Sequence, residues 1–320
     1  MIKRCFTYPH DAEPLRLDLY ISRELPQESR ASVQRLLEQG NILVDGQPAR
    51  ASVKLKGGER VDVVIPKPQP AEPQAEAIPL EVLYEDHDLI VVNKKAGMVV
   101  HPGAGNSSGT LVNALLGHCS DLSGIGGELR PGIVHRLDKD TSGVLVAAKN
   151  NFAHQALSAQ FAAHSIKRAY EALVYGSPKE DNGKIEGVIG RHPTERVRLS
   201  GKARSGKHAV TRWRVRERYT GITLLELRLE TGRTHQIRVH LSEAGFPLLG
   251  DQLYLDGGRL NNIKDPQLRK LIAMLGRQAL HARTLGFIHP ASNEYMEFTT
   301  GMPEDMAAVA EYLRKSATVA

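Results

Sequence analysis

The sequence predicts an α+β protein of two domains, the larger of which contains a mixed, largely antiparallel β-sheet. The chain has 320 residues, more than one domain usually contains. A stretch rich in Pro, Ala and Glu, residues 66–79, has no apolar periodicity and cannot form a core. Beyond this stretch, strand and helix patterns do not alternate regularly. This irregularity favours an antiparallel sheet over a doubly wound parallel one.

The N-terminal part is predicted to consist of an irregular tail, residues 1–14, and a small domain, residues 15–66. The apolar residues of 15–25 have a mixed period that indicates a short helix. Ser29 is suited to the N-cap of a second helix, which ends at Gly40.

A small sheet follows these two helices in the prediction. Residues 42–44 and 60–65 have strand patterns, and Asp45 and Gly46 are typical of a tight hairpin turn. The small domain should therefore combine two helices with a few short strands.

The larger domain, residues 80–320, follows a linker at residues 67–79. Strands are predicted at residues 82–84, 89–93, 133–134, 144–147, 170–174, 211–215 and 224–229. Helices are predicted at residues 110–116, 152–161, 234–244 and 303–313.

The composition is that of a soluble globular protein, with 41% hydrophobic and 24% charged residues. The apolar runs are far shorter than the roughly 20 residues of a membrane span, and the N-terminus lacks the pattern of a secretory signal. The chain has two cysteines, Cys5 and Cys119, which are expected to be free thiols. We expect a cytoplasmic monomer that does not bind membranes.

The positive charge is concentrated in one part of the chain. Its net charge is +6, and between Arg191 and Arg218 ten Lys or Arg residues accompany only two acidic ones, Glu195 and Glu217. Such a stretch favours a polyanion such as nucleic acid, because neutralised phosphates release counterions. A solvated basic loop would explain the charge pattern alone equally well.

A first candidate site residue is Asp138, in the motif HRLDKDTSG at residues 135–143. Predicted strands flank this motif, so the loop that carries Asp138 should be held on both sides. A carboxylate held in this way can act as a nucleophile or general base. The alternative is that Asp138 or Asp140 only caps a turn.

Two further motifs contain possible partners of Asp138. Arg238 lies near the start of a helix predicted to be capped by Thr234, and its guanidinium could fork onto a carboxylate or phosphate. Tyr170 opens a predicted strand and could be a base or a stacking platform. The alternatives are a surface arginine and a core tyrosine.

Other chemistries find little support in the sequence. Residues 201–207 have the spacing GxxxxGK, but His208 replaces the Ser or Thr that would contact magnesium. His235 and His240 diverge on their predicted helix, and no HExxH or CxxC motif occurs. We therefore expect neither a metal nor a nucleotide cofactor.

Together these motifs resemble the A-type group of pseudouridine synthases, which act on ribosomal and transfer RNA. Asp138, Tyr170 and Arg238 match its aspartate, tyrosine and arginine motifs, and residues 84–103 resemble its opening motif, with Lys95 where proline is usual. Residues 15–65 are similar to an S4-type RNA-binding domain. The resemblance implies the pseudouridine synthase fold and makes these three residues the catalytic candidates.

The same resemblance suggests a set of RNA-binding residues. Arg136 matches the arginine that fills the stack vacated by a flipped uridine. The RNA-binding candidates are His135, Arg136, Lys167, Arg191, Arg196, Arg198, Arg233 and His235.

The segments HPGAGNSSGTLVNALL, RHPTERVRL and RQALHA resemble the large-subunit synthase D branch of this family. This likeness implies uridines in the helix 69 stem-loop of 23S rRNA as the target and the large ribosomal subunit, or its precursors, as the partner. Two alternatives remain. They are a non-catalytic RNA-binding or ribosome-assembly factor, and a synthase for another rRNA loop or a transfer RNA.

Overall fold

The computed structural model describes residues 2–26, 30–65, 73–103, 106–119, 122, 132–195, 198–203, 205–255 and 258–318. The chain divides into two compact units, Met1–Pro70 and Ala71–Ala320. None of the helices in these ranges is both long and apolar enough to cross a bilayer.

The N-terminal unit packs two helices and a short two-stranded ladder around a small antiparallel sheet. Its elements are β1 (Ile2–Thr7), β2 (Leu15–Arg16), α1 (Leu17–Glu24), α2 (Arg30–Glu38), β3 (Ile42–Val44), β4 (Gln47–Pro48), β5 (Lys54–Leu55) and β6 (Arg60–Ile65). The sheet has the order β1-β6-β3-β4, and β2 pairs with β5. Leu17, Ile21, Val33 and Ile42 are among the fully buried residues of its core.

Two predictions for this unit need correction. The expected irregular tail, residues 1–14, contains β1, which pairs with β6 along its whole length. The expected helix at residues 15–25 begins with β2 before α1 starts at Leu17. The hairpin turn between β3 and β4 has the positive φ values that its sequence favours. Ser29, the expected N-cap, lies outside the described residues.

The C-terminal unit contains a large sheet covered by helices. Its strands are β7 (Val82–Glu85), β8 (Leu89–Lys94), β9 (Ser142–Ala148), β10 (Lys167–Tyr175), β11 (Asn182–Arg191), β12 (Leu199–Ser200), β13 (Lys207–Tyr219), β14 (Ile222–Leu229), β15 (Leu280–Ile288) and β16 (Tyr295–Thr299). Its helices are α3 (Leu111–His118), α4 (Asn151–Ala162), α5 (Gln236–Glu243), α6 (Pro266–Leu275) and α7 (Glu304–Thr318).

The sheet of this unit is mixed and largely antiparallel, as the sequence predicts. The strand order is β12-β11-β13-β14-β10-β15-β9-β8-β7, with β16 paired to β15. Among these described pairs, β9 and β15 are parallel and the others are antiparallel. The central strands β9, β15, β10 and β14 are buried over most of their length, so residues at their ends have rigid backbone positions.

Both faces of the central strands are covered. On one face, Leu225 and Leu227 of β14 share a core with α3 and α5. On the other face, Leu224 of β14 and Leu173 of β10 share a core with α6 and α7. Tyr170 belongs to the first face and to the same core cluster as Ile237 of α5.

Several local predictions for this unit differ from the structure. The expected strand at 133–134 is only a single bridge from Ile133 to Ala147. The N-cap of α5 is His235 rather than Thr234, and it has no side-chain capping hydrogen bond. The sequence patterns also missed β11, β15, β16 and α6.

The second half of the predicted linker, residues 67–79, is attached to this unit. Residues 67–72 lie outside the described part of the chain. Asn113 of α3 donates a hydrogen bond to the Gln74 carbonyl (2.8 Å), and the Gly109 amide donates to the Glu76 carboxylate (3.0 Å).

Buried polar side chains donate hydrogen bonds to the backbone of the loop that carries Asp138. The ammonium of Lys94, only 2% exposed, donates to the carbonyl oxygens of Lys95, Met98 and Lys139 at 2.9–3.0 Å. Arg277 donates to the Asp140 carbonyl at 3.1 Å while pairing with Asp305. The backbone at these positions is thus fixed by charge-assisted hydrogen bonds.

Lys94 should make the stability of the protein pH-dependent. Burial lowers the pKa of Lys94 from 10.5 to about 8. Between these two values the unfolded chain binds more protons than the folded chain, so the free energy of unfolding rises with pH. Between pH 7 and 10.5, the free energy of unfolding of the unchanged protein should rise by about 3 kcal/mol more than that of Lys94→Met. Urea unfolding of both proteins across this range measures the difference, and parallel pH profiles would contradict the prediction.

Candidate active site

Asp138 lies in the loop that leads into the central strand β9. The loop runs from the bridge at Ile133 to the start of β9 at Ser142, and the Thr141 amide donates to the Asp138 carbonyl (3.1 Å) to close a turn. The carboxylate of Asp138 is 15% exposed and faces a cavity. The Asp138 backbone is therefore part of a turn, while its side chain remains available to a ligand.

Arg238 reaches Asp138 from the first turn of α5. Its Nη1 lies 3.4 Å from Asp138 Oδ2, while Nε and Nη2 donate to the two carboxylate oxygens of Asp251 at 2.7 and 2.9 Å. Burial opposes the charge of Arg238, but the hydrogen bonds and charge of Asp251 outweigh it and raise the pKa of Arg238. The guanidinium is thus a permanent cation held between two carboxylates.

Asp251 was not identified from the sequence. It is fully buried and also accepts hydrogen bonds from the amides of Leu253 and Tyr254. The Tyr254 ring lies 5.0 Å from the Arg238 guanidinium carbon. Asp251 lies thirteen residues after Arg238, in the segment FPLLGDQLY, and neither a periodic pattern nor a motif marks it in the sequence.

Tyr170 forms part of the cavity wall. It lies in β10, is 8% exposed, and shares the cavity with Asp138 and Arg238. Burial raises the pKa of Tyr170, the charge of Arg168 lowers it, and Asp138 raises it further, with a net upward shift. The phenol therefore stays protonated at neutral pH.

The cavity has a volume of about 430 Å³, and four arginines are among its lining residues. This volume lies in the range of small-molecule sites, roughly 300–1,000 Å³. The charged and aromatic residues that line it are His135, Arg136, Asp138, Phe161, His164, Arg168, Tyr170, Arg233, His235 and Arg238. Among the described lining residues, Asp138 is an acidic side chain surrounded by mainly basic ones.

Four of the candidate RNA-binding residues lie in this cavity. Arg136 is exposed at its rim, and Arg233 donates from Nε to the His208 carbonyl (2.9 Å). His235 Nε2 is 4.0 Å from Asp138 Oδ1, and its backbone has a positive φ of 53°. Such a strained conformation in a residue other than glycine is common at functional sites.

His135, the fourth, does not supply a positive charge. Its Nε2 accepts the Val146 amide at 3.1 Å, and its ring stacks on Phe161 with centroids 4.4 Å apart. Burial, with a smaller effect from Arg168, lowers the pKa of His135 to about 3. His135 is therefore a neutral side chain that shapes the pocket wall.

Of the remaining four candidates, the three that the structure describes do not line this cavity. Lys167 is paired with Glu297 (2.7 Å) and lines a separate surface depression. Arg191 is exposed at the end of β11, and Arg198 pairs with Glu195 at 3.1 Å while its guanidinium lies over Tyr254. Arg196 lies outside the described residues.

The structure also adds cavity residues that the motifs did not single out. Arg168, two residues before Tyr170, lines the pocket, and Phe161 of α4 stacks between it and His135. The basic pair in SIKRAYEALV was a visible signal for Arg168. Only the fold shows that Arg168 points into the cavity while Lys167 does not.

Possible metal ligands are found elsewhere. Among the described residues, two groups of three lie within 4.8 Å of one another: Glu85, His118 and Cys119, and Asp86, Asp88 and His289. Neither group lines the cavity. Glu85 already pairs with the ammonium of Lys149 at 2.7 Å, and Asp86 accepts a hydrogen bond from His289.

Comparisons with known proteins match both units. A family model for RNA pseudouridylate synthase matches residues 88–243, and an S4 domain model matches residues 15–61. An uncharacterized RNA pseudouridine synthase of Bacillus subtilis is 46% identical over 94% of this chain and 95% of its own length. The ribosomal large subunit pseudouridine synthase D of Nitrosomonas europaea is 45% identical over 96% of this chain and 87% of its own.

A solved structure agrees with these relatives. Human RNA pseudouridylate synthase domain containing 1 superimposes with a TM-score of 0.55 and 25% identity, covering 75% of this chain and 96% of the human one. The pattern of motifs, the mixed sheet and the relatives are mutually consistent. The chain therefore belongs to the RNA pseudouridine synthases, enzymes that isomerise uridine to pseudouridine within RNA.

Proposed function

We propose that this enzyme modifies uridines in the helix 69 stem-loop of 23S rRNA, in the large ribosomal subunit or its precursors. Relatives named ribosomal large subunit pseudouridine synthase D, from Nitrosomonas europaea and Zymomonas mobilis, are 45% and 47% identical to it over more than 90% of this chain. The segments that begin at His101, Arg191 and Arg277 resemble the same branch. The cytoplasm is the corresponding location, and we propose that the enzyme acts there as a monomer.

Asp138 is proposed to be the catalytic nucleophile. Isomerisation breaks the bond from ribose C1′ to uracil N1, turns the base and joins C1′ to C5, while a proton leaves C5 and N1 gains one. The atoms and the oxidation state are conserved, so we propose that no cofactor takes part. A carboxylate that acts on the sugar or the base divides this change into easier steps. The observation that carries the proposal is the 3.4 Å contact between Asp138 and Arg238 inside the cavity.

Arg238 is proposed to hold Asp138 ionised and correctly oriented. An opposite charge a few ångströms away favours the carboxylate form. Because Asp251 fixes two of the guanidinium nitrogens, the third points at Asp138 without freedom to rotate. A preorganised charge of this kind needs no rearrangement during the reaction.

Tyr170 is proposed to stack on the uracil rather than remove a proton from it. Its raised pKa keeps the phenol protonated, which makes it a poor base at neutral pH. Its ring belongs to the cavity wall shared with Asp138, where a planar base could stack against it.

The uridine must leave the RNA stack to reach Asp138, at a cost of roughly a few kcal/mol. We propose that Arg136, exposed at the cavity rim, fills the vacated space. The basic stretch from Arg191 would bind phosphates. The S4 domain, in the proposed domain 15–66, would add affinity by tethering the RNA.

Replacement of Asp138 by asparagine should abolish pseudouridine formation. RNA binding should stay within about tenfold, because the carboxylate acts in the chemical step. Asp140→Asn, a neighbouring carboxylate on the same loop, is the matched control and should retain activity. The measurement is pseudouridine formed in a helix 69 stem-loop under single-turnover conditions. Near-normal activity of Asp138→Asn would exclude Asp138 as the nucleophile.

Pseudouridine mapping of ribosomal and transfer RNA from a strain that lacks this protein tests the substrate. We expect helix 69 positions of 23S rRNA to lose pseudouridine, and the unchanged gene to restore them. Loss at another position would redirect the enzyme to that RNA. An unchanged map would favour the alternative of a non-catalytic assembly factor.

Removal of residues 1–66 should leave a folded catalytic unit with weaker RNA binding. The cut lies before Gln74 and Glu76, whose contacts with the C-terminal unit are retained. Among the described residues, the core clusters of that unit contain none from the deleted segment. Thermal unfolding and RNA titration of the truncated and full chains measure both effects. Aggregation of the truncated chain would contradict the proposed domain boundary.

A further inference from the structure

Arg168 is a cation in the cavity, and none of the described carboxylates pairs with it. It lies in β10, two residues before Tyr170, and its side chain lines the same cavity as Asp138. Within the described ranges its guanidinium pairs with no carboxylate, and its buried Nε finds no hydrogen-bond acceptor. Among the described residues, the charge of this side chain is thus unpaired and its Nε–H is without an acceptor.

The surroundings hold Arg168 in this position. Its guanidinium carbon lies 5.9 Å from the centre of the Phe161 ring, which stacks in turn on His135. Gly232, in the loop after β14, leaves the space that the guanidinium uses, since a Cβ there would lie 2.8 Å from Nη1 of Arg168. Phe161 and Gly232 therefore position the guanidinium of Arg168, but neither of them neutralises its charge.

Two of the other three cavity arginines have partners within the protein, and the third, Arg136, is exposed to solvent. Arg238 is bound by Asp251 and Asp138, and Arg233 donates to the His208 carbonyl. A partly buried guanidinium without a partner is unfavourable, because desolvated charges require compensation. Such a site is suited to an anionic ligand.

We propose that Arg168 binds the phosphate next to the uridine that enters the cavity. Uracil and ribose are neutral, so the phosphodiester is the anion that a nucleotide brings into this space. The planar fork of an arginine matches two phosphate oxygens. The contact would anchor the backbone beside the flipped nucleotide while Asp138 reacts with it. This inference rests on the proposed function.

The test compares charge removal from the protein with charge removal from the RNA. Two helix 69 stem-loops carry a single neutral methylphosphonate, either 5′ or 3′ to the target uridine, and a third is unmodified. Dissociation constants are measured with the full chain and with Arg168→Gln at fixed salt. Arg168→Gln should bind the unmodified RNA roughly 10- to 100-fold more weakly, as expected for a charge-assisted hydrogen-bonded pair.

One of the two methylphosphonates should weaken binding to the unchanged chain by a similar factor and add little to the effect of Arg168→Gln. The salt dependence of binding should also fall by about one phosphate contact in Arg168→Gln. Additive losses at both phosphates would overturn the inference.

Three further variants separate this contact from general effects. Arg228→Gln removes an exposed arginine of the same sheet that pairs with Glu226 outside the cavity, and it should not change binding. Arg168→Lys keeps the charge without the fork and should lie between the unchanged chain and Arg168→Gln. Gly232→Ala crowds the guanidinium and should weaken binding of the unmodified RNA, with less effect on the sensitive methylphosphonate RNA.

Product formation on the unmodified stem-loop distinguishes failure of the proposed substrate from failure of the proposed Arg168–phosphate contact. If the unchanged chain forms no pseudouridine there, the proposed substrate is wrong. The comparison of Arg168→Gln with methylphosphonate RNAs is then repeated on the RNA found by mapping. If product forms while the losses remain additive, the assignment of Arg168 is wrong and the proposed function stands.

Discussion

The site depends on one guanidinium held between two carboxylates. Arg238 is fixed by the buried Asp251 and offers its remaining nitrogen to Asp138, which faces the cavity. Removing one member of such a buried set leaves an uncompensated charge, so the three groups constrain each other. The position of the Asp138 carboxylate therefore depends on a residue, Asp251, that does not line the cavity.

The remaining constraint on Asp138 comes from the backbone. Lys94 reaches the loop from the end of β8 and Arg277 from the connection between α6 and β15, and they donate to the carbonyl oxygens of Lys139 and Asp140. These contacts hold the turn on the side away from the cavity. The side chain of Asp138 can then face the cavity without movement of the loop, which is the preorganisation that its proposed catalytic role requires.

Several cations of the large sheet are paired with carboxylates, whereas Arg168 in the cavity is not paired with any described one. Outside the cavity, Lys167 and Arg283 are each paired with a glutamate. In the cavity, Arg168 has no such partner among the described residues, and Arg136 is exposed. Net charge alone does not show this contrast, because ion pairs cancel the charge of many basic residues before any RNA arrives.

The sequence by itself determined the two α+β units, most buried helices and strands, and the motifs of Asp138, Tyr170 and Arg238, because these depend on local periodicity and short spacing. It missed strands such as β1 and β15, whose identity comes from pairing with distant strands. Only the tertiary structure decided that Asp251 anchors Arg238 and that Arg168, rather than Lys167, faces the cavity. The physical reason is that successive residues of a strand point to opposite faces, and only the packed sheet decides which face lines a cavity.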